Sequence, residues 1–87
     1  MSFAEYLGLT AGLFTTFSMV PQIVRVFRLK SAREISTAFT LLLLTGMLIW
    51  LVYGIIGGLV SIILWNTVGA VLVAVLLCAK IKYGRAT

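Results

Sequence analysis

Few side chains in this 87-residue chain could do covalent or acid–base chemistry. It has no His, its acids are Glu5 and Glu34, and Cys78 is its single cysteine. A metal centre needs a cluster of His, Cys or carboxylate ligands. No Ser-His-Asp set, paired carboxylate or glycine-rich phosphate loop stands in the sequence either. An enzyme, a metal and a cofactor are therefore not expected. A lone cysteine forms no disulfide within one chain, and Cys78 reads as an apolar helix residue. What remains is non-covalent chemistry, carried by Trp50, Tyr53, Trp65, Asn66, a few Ser and Thr residues and the pair Pro21-Gln22. Aromatic faces and an amide can cover and hydrogen-bond an uncharged polar solute.

The elements that hold these residues follow from composition. Hydrophobic residues make up 62% of the chain and charged residues 10%, well below the quarter or so typical of soluble domains. So short a chain cannot hide that much apolar surface from water, whereas a bilayer suits it. Residues 6 to 24 and 35 to 79 carry no charge. The first run matches one crossing. The second would extend about 67 Å as one helix, against a hydrocarbon core of roughly 30 Å, so it must fold back. Its dense breaker is Gly54, Gly57 and Gly58, and glycine permits the positive φ of a tight reversal. An all-α membrane protein with three transmembrane helices is expected, over about residues 6–27, 36–56 and 59–80, as a single domain spanning 1–87.

The net charge of +5 invites a nucleic-acid reading, but its placement argues against one. Arg25, Arg28, Lys30 and Arg33 fall in the first loop, and Lys80, Lys82 and Arg85 follow the last helix. In a three-span chain these regions share one side, which by the positive-inside rule is the cytoplasm. The N-terminus then lies outside. It carries Glu5 and no basic n-region, so a cleaved signal peptide is not expected.

Counting from the glycine turn at about 1.5 Å per residue, Trp50 and Asn66 both sit roughly 10–12 Å in from the outer surface. Tyr53 lies outward of Trp50 on nearly the same face, and Gly46, Leu43 and Phe39 continue that face inward. Each residue has a plainer reading. Asn66 serves either as interhelical glue or as a ligand contact, and Trp50 either packs or lines a site. Pro21 removes a helical hydrogen bond, giving a static kink or a moving hinge, and Gln22 is expected to satisfy the backbone groups freed there. Gly8/Gly12 and Gly54/Gly58 match the small-xxx-small pattern of close packing, and Trp65 points about 100° away from Asn66, toward packing. At mid-depth there is no Asp, Glu, His, Lys or Arg for a proton relay or a charged pore ring. A neutral polar solute moving down its gradient fits best.

These residues together resemble a known family. Pro21-Gln22 late in the first helix of a three-helix chain looks like the PQ-loop family. Ser36-Thr37-Ala38-Phe39, the deep Trp50, and Asn66 look like the SemiSWEETs, bacterial half-size relatives of the SWEET sugar transporters. The resemblance covers nearly the whole chain. It implies a triple-helix bundle with the third helix between the first two, and a parallel homodimer with the route between protomers. It also implies that Trp50 and Asn66 contact sugar, that Tyr53 stands at an outer gate and Phe39 at an inner one, and that Pro21 is the hinge. Several relatives carry an Arg and an Asp shortly after the outer tyrosine as a polar lock. Here that stretch is Ile55, Ile56, Gly57, Gly58 and Leu59, so outer closure must rest on Tyr53 and packing.

The chemistry agrees with that expectation. Paired chains would bring two Trp50 and two Asn66 to one level, offering indole faces to C–H surfaces and amides to hydroxyls. The expected activity is facilitative uniport of a mono- or disaccharide, of the glucose or sucrose class, across a bacterial inner membrane by alternating access. A non-transporting accessory subunit, or a holin-like pore former, is the competing reading.

Overall fold

A computed structural model describes residues 2–32 and 35–83. Arg33, Glu34 and Arg85, used in the charge reading above, lie outside the described residues. The chain forms α1 (Phe3–Phe17), α2 (Val20–Leu29), α3 (Thr37–Gly57) and α4 (Val60–Tyr83). Three stretches are long and apolar enough to cross a membrane: Phe3–Leu29, which combines α1 and α2, then Thr37–Gly57 and Val60–Tyr83.

The first span is not the single helix expected. It breaks at Ser18–Met19, just ahead of Pro21 in the first turn of α2. Proline has no N–H to give Phe17, and its ring crowds that carbonyl. The break closes its own hydrogen bonds: Ser18 N donates to Phe14 O at 3.0 Å and Met19 N to Thr16 O at 3.1 Å. The Ser18 hydroxyl donates to Thr15 O. The Gln22 side chain is exposed and makes no hydrogen bond among the described residues. Tightened backbone bonding, rather than Gln22, therefore repairs the interruption.

Serines start two of the helices. Ser2 Oγ accepts from Glu5 N at 3.2 Å, and Ser36 Oγ accepts from Phe39 N at 3.1 Å, each satisfying an N–H that helix geometry leaves open. The α3–α4 reversal is a Schellman turn. Gly58 adopts φ 64°, with Leu59 N bonded to Gly54 O at 2.9 Å and Gly58 N to Ile55 O at 3.3 Å. A Cβ on Gly58 would meet open space, so conformation rather than crowding requires glycine here. Gly58→Ala is expected to lower stability by ~1–2 kcal/mol, the cost of a left-handed L-residue. A thermal unfolding midpoint equal to that of the parent protein would contradict this.

α4 packs against α1, α2 and α3, whereas α3 approaches neither α1 nor α2 among the described residues. The third span thus lies between the other two. Small residues permit these approaches. A Cβ on Gly8 would lie 2.6 Å from Ser61 Oγ, and one on Gly12 would run into the Trp65 indole. Gly54 faces Ile62 and Ile63, and Gly69 faces Met47. The Gly8/Gly12 expectation is therefore met between α1 and α4. In the second glycine pair only Gly54 packs, since Gly58 serves the turn. The backbone of the resulting bundle extends 46 × 21 × 14 Å.

Candidate functional site

Trp50 and Tyr53 project from one face of α3, three residues apart and so nearly aligned along the helix. Their rings meet edge to face, with centroids 5.4 Å apart and planes at 85°. Each is 55% exposed. One turn inward, Gly46 has nothing within 4 Å of where a Cβ would stand. The missing side chain opens a groove of ≈ 500 Å³ lined by Gly46, Ile49, Trp50 and Tyr53. Ile49 was not singled out in the sequence, although its place beside Trp50 could have suggested it. Phe39 lies farther inward in the first turn of α3 and is 62% exposed.

Asn66 does not line this groove. It is half-buried on α4, and its Nδ2 donates to Ile62 O at 2.9 Å, within its own helix. Of the two sequence readings, glue between helices of one protomer is not what the amide does. One end of it is held by backbone, and Oδ1 has no hydrogen-bond partner among the described residues. The hydroxyls of Thr10, Thr40, Thr45 and Thr67 likewise bond carbonyls four residues back, satisfying themselves without reaching a neighbour, as apolar surroundings demand. Trp65 behaves as packing: its indole lies on Gly12, and its Nε1 is buried without a hydrogen-bond partner among the described residues.

Pro21 and Gln22 stand in the first turn of α2, both exposed. Gln22 borders a second hollow of ≈ 240 Å³ with Arg25, Val26, Leu29, Ser31, Ala32 and Ile35. Beneath it lies a small core of Val26, Ala32, Ile35, Leu76 and Ala79, and Phe27 meets Tyr83 edge to face at 6.0 Å. Lys80 is buried here at 4% exposure, its Nζ donating to Ala32 O at 3.1 Å. Its charge had placed it at the aqueous end of the helix. The signal that could have found it is periodic: Gly69, Val73, Leu76 and Lys80 recur at three- and four-residue steps, and all are buried on α4.

Among the described residues, no three His, Cys, Asp or Glu side chains gather as metal ligands. The arrangement offers an open aromatic surface on α3 and a half-buried amide on α4.

Comparison with known proteins agrees in family and fold. The PQ loop repeat profile matches residues 3–63. The sugar transporter SemiSWEET of Bradyrhizobium diazoefficiens is 35% identical over 80 residues, covering 92% of this chain and 93% of that protein. The SemiSWEET of Leptospira biflexa is 36% identical over 81 residues, covering 93% and 95%. A solved bacterial homologue of SWEET transporters superposes with a TM-score of 0.91 at 30% identity, covering 95% of this chain and all of that one.

Proposed function

The chain belongs to the SemiSWEET transporters of the PQ-loop family, a family of transporters and not enzymes, and from that membership we propose that it carries a mono- or disaccharide of the glucose or sucrose class. In this reading it is a facilitative uniporter of the bacterial inner membrane, alternating access between two parallel protomers. The observation that carries the reading is the Trp50–Tyr53 groove, open along one flank of the three-helix bundle. A second copy facing it would close the path and bring both indoles and both Asn66 amides to one level. Indoles suit the C–H faces of a sugar and amides its hydroxyl rim. Hydrogen bonds worth about 0.5–1.5 kcal/mol each hold a solute that must also leave.

The basic ends support the orientation. Lys80 bonds the loop after α2, so Arg25, Arg28 and Lys30 share one end of the bundle with Lys80 and Lys82. That end is cytoplasmic by the positive-inside rule, and Ser2–Glu5 beside the glycine turn is outside.

Uptake of labelled glucose and sucrose into proteoliposomes holding only this protein tests the reading. Saturable uptake of one of them, with an encapsulated dye retained, is expected. Dye leakage points to a pore, and intact vesicles with no uptake of either sugar point to an accessory subunit.

Within this reading Pro21 is the hinge, Tyr53 the outer closure and Phe39 the inner one. Alanine at position 21 restores an N–H that can reach Phe17 O and stiffens the junction of α1 and α2. Pro21→Ala is therefore expected to slow uptake while leaving equilibrium sugar binding intact. Unchanged uptake would remove Pro21 from the hinge.

A further inference from the structure

The hydrogen bond of Lys80 reaches much farther along the chain than those of Thr10, Thr40, Thr45, Asn66 and Thr67. The Thr hydroxyls and the Asn66 amide bond carbonyls four residues away, whereas Lys80 bonds a carbonyl 48 residues away. Position does not force this. A lysine in the last turn of a membrane helix can extend its stem and keep its ammonium in water. Here it is 4% exposed and bonded to the carbonyl of Ala32, a member of the small core with Val26, Ile35, Leu76 and Ala79. An apolar side chain continuing the Gly69–Val73–Leu76 stripe would fill the place without desolvating a charge.

The acceptor sits at a junction. Lys30 closes α2 in the left-handed region at φ 51°, Ser31 N returns to Val26 O, and Ala32 follows at 1% exposure. The Ala32 carbonyl also accepts from Ile35 N at 3.0 Å, just ahead of α3. One oxygen therefore ties the end of α2, the approach to α3 and the last turn of α4. The end of α2 cannot leave α4 while the Lys80 bond stands.

We propose that Lys80 is a positioning residue, a latch that fixes the inner end of α2 against α4 and sets how often that end undocks. Such a bond suits an element that must move. The ammonium has a good partner when docked and water within reach when released, so the two positions differ by a modest amount. The proposal deepens the transport reading and rests on it only for its consequence in uptake; undocking itself is measured without sugar.

The test uses the full chain in lipid nanodiscs on a Cys78→Ser background. Val26→Cys places a thiol in the core between α2 and α4, where a water-soluble maleimide reaches it only on undocking. Lys80→Met is expected to raise its labelling rate about tenfold, equivalent to ~1.4 kcal/mol, and Lys80→Arg to keep it within about threefold of the parent, because a charged donor remains. Thr16→Cys, buried in α1 on the other side of the break, reports general loosening and should be unaffected by Lys80→Met. An unchanged or slower rate at position 26, or an equal rise at position 16, overturns the latch. If Lys80→Met does not fold, Lys80→Gln supplies the same comparison. Failure of sugar uptake in the unmodified protein overturns the transport reading and leaves the labelling result standing.

Discussion

Replacing Trp50 with alanine should abolish most sugar uptake while leaving the protomer folded. Trp50 is 55% exposed, and the ring contact described for it is with Tyr53 on its own helix. Its removal therefore leaves the α3–α4 seam, built around Gly54 and Gly69, in place. A stacked aromatic face contributes ~0.5–1.5 kcal/mol beyond area burial. Two copies at one site would lose about twice that, a drop of roughly 5- to 150-fold in the occupied state. Trp50→Phe, which keeps a smaller face, should fall between. Asn66→Ala should have a comparable effect through hydrogen bonding. It should also fold, because the bond it removes runs from Nδ2 to a carbonyl within α4. Proteoliposome uptake, together with size-exclusion elution as a check on assembly, decides the matter. Uptake at the parent rate in either variant would take that residue out of the site.

Gly12→Ala should produce the largest change in stability. A Cβ at position 12 would occupy space now filled by Cδ1, Cγ and Nε1 of the Trp65 indole. A rigid bicycle at a helix seam cannot yield as the end of a flexible chain would, so α1 and α4 must separate. Overpacking of this kind costs about 1–3 kcal/mol. The Trp65 side chain serves shape there, since its buried Nε1 has no hydrogen-bond partner among the described residues. Trp65→Ala on top of Gly12→Ala should restore much of the thermal unfolding midpoint, because the clash goes with the ring. A double variant no more stable than Gly12→Ala alone would show that the two residues do not compete for one volume.

The crossings were legible in the sequence because they depend on length. Uncharged runs at residues 6–24 and 35–79 either span a bilayer or do not, and the glycines at 54, 57 and 58 could serve a reversal. Gly8 and Gly12, four residues apart, also marked a close approach correctly, since only a missing side chain lets helices meet in lipid. The comparison with SemiSWEETs placed the chain in a family that Pro21-Gln22, Trp50 and Asn66 had already suggested.

What the sequence left open was rotation and neighbourhood. In water, an apolar stripe marks the buried face of a helix. In lipid the outward face is apolar as well, so α3 and α4 carry almost no such stripe, and the direction of each side chain is decided by which neighbour it meets. Only the folded chain showed that Gly46 opens a groove below Trp50 and that Asn66 turns its amide to its own backbone. The same holds for the break at Ser18–Met19, which needed the local hydrogen bonds around Pro21 to locate. It holds too for Lys80, which composition assigned to water and packing drew under the end of α2.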